Sequence, residues 1–295
     1  MHHTNRWRQL VVASAAALFV ALVGVSPTPA ENHSTLKDFF FIGLKAIGLT
    51  DEGHLVRFRV GFPSFTRDIG KVKGLVGSDT ALIGIDFRVQ DGQLYGVGNG
   101  GGVYTINTHN AQASLVNTLT VTLSGTSFGV DFNPVADRLR IISDTGQNLA
   151  HNVNEGGTTV ANSPLTYTVP PAPPVPALGV TGAAYTNNDL EPGNPTTATT
   201  LFDIDTTLDQ VVIQSPPGSG ILVATGKLGV DADAVTGFDI YSSLDDSVTA
   251  QNRAFAALVV QGTSGFYQIN LLTGEATLLG HFDKPMVDIA LPLQQ

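Results

Sequence analysis

The sequence predicts an all-β fold, a β-propeller of about five four-stranded blades. Three observations predict it. Gly (32) and Pro (16) punctuate short runs of Val, Thr, Ile and Leu, which is the composition of strands and turns. A four-residue motif recurs along the chain at near-regular spacing. The two ends of the chain carry complementary parts of one repeat unit.

The motif is a glycine, an apolar residue, an acid or alanine, and a large apolar residue. It reads Gly84-Ile85-Asp86-Phe87, Gly129-Val130-Asp131-Phe132, Gly182-Ala183-Ala184-Tyr185 and Gly237-Phe238-Asp239-Ile240. A degenerate fifth copy is Asp288-Ile289-Ala290-Leu291, and the steps are 45, 53, 55 and 51 residues. Blades of four strands repeat at about 40–50 residues, so the steps fit blades with loop insertions.

Three further strands follow the first copy, at Gln93–Val97, Gly102–Asn107 and Ala113–Asn117. The fourth copy is followed by Ala254–Val260, Gly265–Asn270 and Glu275–Leu279. Val103–Asn107 matches Phe266–Asn270 nearly position for position, and Leu201–Asp205 matches them loosely. The last copy, Met286–Leu291, has no strands after it. Phe39–Ala46, His54–Val60 and Ile69–Val76 read as three strands lacking a first. Joining the two ends closes the ring and removes exposed sheet edges. An open β-sandwich or β-solenoid is the alternative.

Residues 1–30 read as a secretory signal peptide cleaved after Ala30. Arg6 and Arg8 precede the 16-residue apolar run Leu10–Val25, and Ser26-Pro27-Thr28-Pro29-Ala30 supplies small residues for cleavage. A retained anchor would need about 20 apolar residues. Residues 31–38 form a linker and 39–295 a single propeller domain, long enough for one large core. The chain has no cysteine, so an exported protein of this sequence holds together without disulfides or a cysteine-linked lipid. That fits a periplasmic or extracellular bacterial location. The net charge of −10 becomes about −12 without Arg6 and Arg8. A sparsely charged acidic surface opposes nucleic acid and anionic lipid.

Several motifs have bland readings. Gly125-Thr126-Ser127-Phe128-Gly129 matches a nucleophile elbow, but a strand follows instead of a helix. Gly96–Gly101 matches the dinucleotide fingerprint, and again a strand follows, which makes it a hairpin turn. Asp144-Thr145-Gly146 has no second such triplet to make an aspartic-protease pair. His33, His54, His109, His151 and His281 share no metal-ligand spacing and are placed at turns and surfaces. Asp203, Asp205, Asp209, Asp231 and Asp233 read as solvated turn acids, with Asp203 and Asp205 on one strand face. Asp137 and Arg138 are placed to pair charges across the Asn133-Pro134 turn. Val169–Pro176, with five prolines, reads as an extended surface excursion barred from central strands. Asn187–Thr196 reads as a second surface insertion.

Asp86, Asp131 and Asp239 hold one position in three repeats. If that strand lines the axis, they ring a central channel. Two readings follow. Each carboxylate accepts backbone N–H groups of the next blade and locks blade to blade, or the three hold a cation, for which oxygen ligands suit Ca²⁺. The first is the primary reading.

The chain resembles the bacterial secreted family catalogued as domain of unknown function 4394. The likeness rests on Leu82–Arg88, Gly92–Gly96, Phe128–Pro134, Asp137–Arg140, Ser143–Asn148 and Gly182–Asn187, and it spans roughly Ala46–Leu291. It implies a propeller-like exported domain with no established activity. Arg88-Val89-Gln90-Asp91 departs from the family's usual Arg-Pro-Ala-Thr there, which alters a turn. The expectation is a non-catalytic binding or scaffold propeller with an unknown envelope or extracellular ligand. A Ca²⁺-dependent propeller hydrolase or lactonase using the channel carboxylates is the alternative.

Overall fold

A computed structural model describes residues 41, 43–168, 172–190 and 197–295. The segment read as a signal peptide (1–30), the whole of the segment read as a linker (31–38) and the prolines at 170 and 171 lie outside the described residues. Five sheets, antiparallel apart from one short pair in blade four, stand around one axis. Blade one holds β1 (Lys45–Thr50), β2 (His54–Arg59) and β3 (Phe62–Lys71). Blade two holds β4 (Leu82–Phe87), β5 (Leu94–Gly98), β6 (Gly102–Ile106) and β7 (Ala113–Thr118). Blade three holds β8 (Phe128–Asn133), β9 (Arg138–Ser143), β10 (Asn148–His151) and β11 (Thr159–Ala161). Blade four holds β12 (Thr166–Tyr167), β13 (Val175–Pro176), β14 (Val180–Tyr185), β15 (Leu201–Asp205), β16 (Gln210–Gln214) and β17 (Ile221–Lys227). Blade five holds β18 (Ala232–Asp245), β19 (Val248–Val260), β20 (Thr263–Ile269) and β21 (Ala276–His281). The final strand, β22 (Met286–Ala290), returns to blade one.

The ring closes as the sequence predicts. β22 pairs antiparallel with β1, placing Ile47 opposite Ala290, Gly48 opposite Ile289 and Leu49 opposite Asp288. The motif copies are the innermost strands β4, β8, β14, β18 and β22, and each touches the next around the axis.

Burial falls from the axis outward. All six residues of β14 are buried, whereas five of the six in β7 are not. An inner strand is covered on both faces by neighbouring blades, so it reads as a continuous apolar run. Two repeat glycines show why the motif opens with Gly. A Cβ on Gly129 would lie 2.6 Å from the Ala183 nitrogen, and one on Gly237 would lie 2.7 Å from the Asp288 Cα. The inner strands approach too closely there for any side chain.

Where one large core is expected from length, the apolar residues divide into five clusters, one per blade interface. Each sheet buries both faces, so the core is cut into wedges. The wedge between blades five and one is aromatic. Phe58 meets Phe266 and Phe282 edge-on, both at 5.1 Å, and Phe255 stacks on Phe266 at 5.4 Å.

Three strand assignments change. β1 begins at Lys45, because Phe41 and Leu44 are core residues of the blade five–one wedge joined by a turn, with Leu44 N donating to Phe41 O at 3.1 Å. β3 runs Phe62–Lys71 and not Ile69–Val76. It is an outer strand exposed along most of its length, so apolarity does not mark it. The apolar residues after it, Val72 and Leu75, pack on the blade one–two wedge. Leu201–Asp205 is the second strand of its blade, although it resembles two third strands. All three end in a residue that caps the following turn. Asp205 accepts from Thr207 N and Leu208 N, both at 2.9 Å, as Asn107 does from His109 N at 2.8 Å and Asn270 from Leu272 N at 3.0 Å.

Blade four carries two extra short strands. β12 lies parallel to the outer strand β17, and β13 lies outside β12. Val175-Pro176 is thus at a sheet edge, where a missing N–H costs little. No helix among the described residues is long and apolar enough to cross a membrane.

Candidate functional site

The inner strands bring Asp86, Asp131 and Asp239 together. One carboxylate oxygen of each lies within 4.8 Å of the others, and all three are buried. Their bonds share one register. Asp86 Oδ2 accepts from Phe132 N at 2.7 Å, Asp131 Oδ1 from Tyr185 N at 3.1 Å, and Asp239 Oδ2 from Leu291 N at 2.5 Å. Each donor N–H belongs to the neighbouring inner strand or, for Leu291, to the residue that follows it, one residue past the equivalent acid position. Blades four and one carry Ala184 and Ala290 at that position. The N–H groups they leave are taken locally. Ile240 N donates to Asp239 Oδ1 at 2.5 Å, and Phe87 N bonds to Asp86.

A fourth acid belongs to the ring. Asp288 fills the glycine position of the fifth copy and is buried. Its Oδ2 accepts from Ile85 N at 2.8 Å, across the seam between blades one and two, and its Oδ1 from Ile289 N at 2.8 Å. Sequence reasoning noted the degenerate copy but not this role. The signal was an acid standing where the other four copies have glycine.

Burial pushes all four acids up. Like-charge repulsion adds to it: Asp239 on Asp86, and Asp86 and Asp239 on Asp131. The N–H bonds oppose the rise without cancelling it, and Asp239 is pushed up to about 7. At neutral pH the cluster therefore carries protons or needs a cation. A triangle of edge 4.8 Å has its centre about 2.8 Å from each corner, close to the 2.3–2.6 Å of Ca²⁺–oxygen contacts.

Other singled-out residues turn out structural. Asp137 pairs with Arg88 of blade two and not with Arg138. Arg88 Nε reaches Asp137 Oδ1 at 2.7 Å and Nη2 reaches Oδ2 at 2.5 Å, a bidentate clasp across the seam between blades two and three. The Arg138 guanidinium instead donates to Ala136 O and Asp137 O. Burial raises the Asp137 carboxyl, but Arg88 and Asn154 outweigh it and hold it below the usual range. Asp144 accepts from Thr126 N at 2.9 Å and Thr126 Oγ1 at 2.6 Å, which ties off the turn before β8.

His151 is fully buried in β10, not at the surface. Its ring nitrogens meet Thr159 Oγ1 at 3.0 Å and Asn117 Oδ1 at 2.8 Å, which makes burial tolerable. Burial, with Arg138 nearby, pushes it down to about 4. Asp203 and Asp205 share a strand face as read, but both are fully buried and not solvated. Asp205 accepts from Tyr167 Oη at 2.5 Å. Both Asp203 oxygens are buried without a hydrogen-bond partner, and burial holds this carboxyl well above the usual range.

Open grooves lie at the blade edges. One of about 660 Å³ runs between blades four and five and is lined by Phe202, Gln251, Gln268, Asn270, Leu272 and Glu275, among others. A second of about 360 Å³ lies on blade one, against Lys45, Arg57, Arg59, Phe62, Phe65 and Arg67.

The family described as Domain of unknown function (DUF4394) matches residues 54–290, from β2 to the end of β22. The chain belongs to this family. Among curated proteins none matches. Solved structures similar to this DUF4394 chain include an auxiliary nutrient binding protein from Bacteroides ovatus, at 11% identity and a TM-score of 0.39, with 75% of this chain and 55% of that one covered. Another, from Bacteroides thetaiotaomicron, is at 15% identity and 0.38, with 62% and 47% covered. A protein from Lactobacillus plantarum is at 12% identity and 0.39, with 83% and 98% covered. The DUF4394 chain thus spans about half the length of the two nutrient binding chains.

Proposed function

We propose that the mature chain is an exported, non-catalytic binding propeller of the bacterial cell envelope, whose ligand sits in the groove between blades four and five. The groove carries the reading. It is open, large enough for a few sugar rings or a short peptide, and lined by amide side chains, with Arg253 and Glu275, beside exposed Leu272 and the buried Phe202. Sites that recognise neutral polar ligands combine apolar faces with a few polar groups in this way. The acids at the axis support it from the other side, because each already serves a neighbouring blade. Residues 1–30 supply the export signal on this reading. The test is a binding screen of the mature chain against glycans and cell-wall fragments, repeated with Gln268→Ala/Leu272→Ala. A ligand whose affinity falls at least tenfold in the double variant fits. A ligand bound equally by both proteins places recognition elsewhere.

The convergence of Asp86, Asp131 and Asp239 favours a second reading, a Ca²⁺ held at the axis, with hydrolytic or lactonase chemistry as its extension. Calorimetry with Ca²⁺ on the wild-type chain and on Asp131→Ala decides it. Heat from the first and none from the second supports the site, and no heat from either ends it.

A further inference from the structure

We propose that the blade-one groove binds a carboxylate-bearing polysaccharide, a polymer of uronic acid sugars. The inference rests on the reading of the chain as a binding module but concerns a separate surface.

The groove is cationic in an anionic protein. Lys45, Arg57, Arg59 and Arg67 line it, four of the 15 Lys and Arg in a chain of net charge −10, and among the described residues no acid lines it with them. Strand register puts these charges side by side. Lys45 stands directly opposite Arg59 across β1 and β2, and Arg57 opposite Arg67 across β2 and β3. Like charges in such positions destabilise a sheet. Their neighbours do not relieve them. The ion pairs of the described residues join His54 to Asp68 and Arg88 to Asp91 and Asp137, and none reaches this groove. Arg57 donates to Thr108 O at 3.0 Å and Arg59 to Gly43 O at 3.1 Å, so both are steadied by carbonyls that leave their charge uncompensated. No carboxylate among the described residues forms an ion pair with these cations, and we assign that role to an external anion.

The aromatic residues narrow its chemistry. Phe62 is 52% exposed and Phe65 is 77% exposed, and both line the groove. Phe62 lies directly opposite Arg59. Apolar rings this open beside guanidinium groups offer a flat face and a bidentate carboxylate partner at adjacent points. A uronate unit presents both features: the C–H face of a pyranose ring and a carboxylate at its rim. Repeated along a polymer, the spacing of carboxylates meets more than one of the four cations.

Affinity electrophoresis of the mature chain in gels containing polygalacturonate tests this, with dextran as neutral control and dextran sulfate as polyanion control. Retardation by polygalacturonate and not by dextran is expected. Arg59→Gln/Arg67→Gln should lower the affinity at least tenfold. Phe65→Ala should weaken it severalfold while leaving the salt dependence unchanged, which separates ring stacking from charge. Gln268→Ala/Leu272→Ala should leave polygalacturonate binding intact, so loss at one groove is distinguishable from loss at the other. Equal retardation of wild type and the double Arg variant overturns the proposal. So does absence of retardation, or dextran sulfate binding as tight as polygalacturonate and insensitive to Phe65→Ala, which would mark a general polyanion patch.

Discussion

Asp131 shows how one side chain serves two opposing demands. It accepts the Tyr185 N–H of the next blade, which favours a charged carboxylate, and it faces Asp86 and Asp239 in a dry interior, which disfavours one. Asn keeps the acceptor and removes the charge. Asp131→Asn is therefore expected to stabilise the fold at pH 7.5 by on the order of 1–3 kcal/mol, the usual cost of a buried group left poorly compensated. The pH dependence has a definite sign. The folded acids hold protons to a higher pH than unfolded ones, with Asp239 near 7 against an ordinary 3.8. As pH falls from about 7 toward 4 the folded state takes up protons that the unfolded state does not, so this cluster adds stability. His151 acts in the opposite direction. Its folded value near 4 means that stability is lost as pH drops below about 6.5. Urea unfolding of wild type and Asp131→Asn between pH 4 and 8 isolates the cluster. The gain from the variant should shrink toward pH 4, and a constant difference would show that repulsion at the axis is not its source.

At the scale of the element, the repeat motif is a packing code. Its glycine lets two inner strands meet, its acid bridges to the next strand, and its last residue fills an interface wedge. Gly129→Ala is expected to cost about 1–3 kcal/mol, because the new methyl meets the backbone of β14 and not a side chain that can turn aside. Thermal unfolding reads it as a fall of several degrees, and an unchanged midpoint would mean the blades can part freely. The inner strands were legible because they are buried on both faces and repeat. Met286–Ala290 is found within a residue of its sequence-derived bounds, and so are the second strand Leu201–Asp205 and the third strand Gly102–Ile106 further out in their blades. β3 was not legible, since an exposed outer strand needs no apolar pattern. The extra strands β12 and β13 were hidden for a related reason. Two-residue strands carry no period, and β12 pairs with a strand about fifty residues later.

For the whole molecule, closure is the central feature. β22 and the residue after it supply blade one with its inner strand, three wedge residues in Met286, Ile289 and Leu291, and the acid Asp288 that bridges to blade two. Deleting residues 286–295 should therefore open the ring and expose the β1 edge and the aromatic wedge together. The expected outcome is loss of the cooperative unfolding transition with self-association in light scattering. A monomeric truncated chain with a normal transition would refute the dependence on closure. The chain has no cysteine, so no covalent link can substitute for this strand.

The sequence by itself determined the repeat, a ring of about five blades, the closing strand and the acids at the axis, because a repeated fold writes its local rules several times. Only the tertiary structure decided where charges meet. It joined Arg88 to Asp137 across a seam, buried Asp203 and His151, brought Asp288 to the axis, and set Lys45 and Arg67 on one groove. Those pairings come from strands adjacent in space and distant in sequence, and burial depends on which face of a neighbouring blade covers each side chain. Neither leaves a local pattern in the chain.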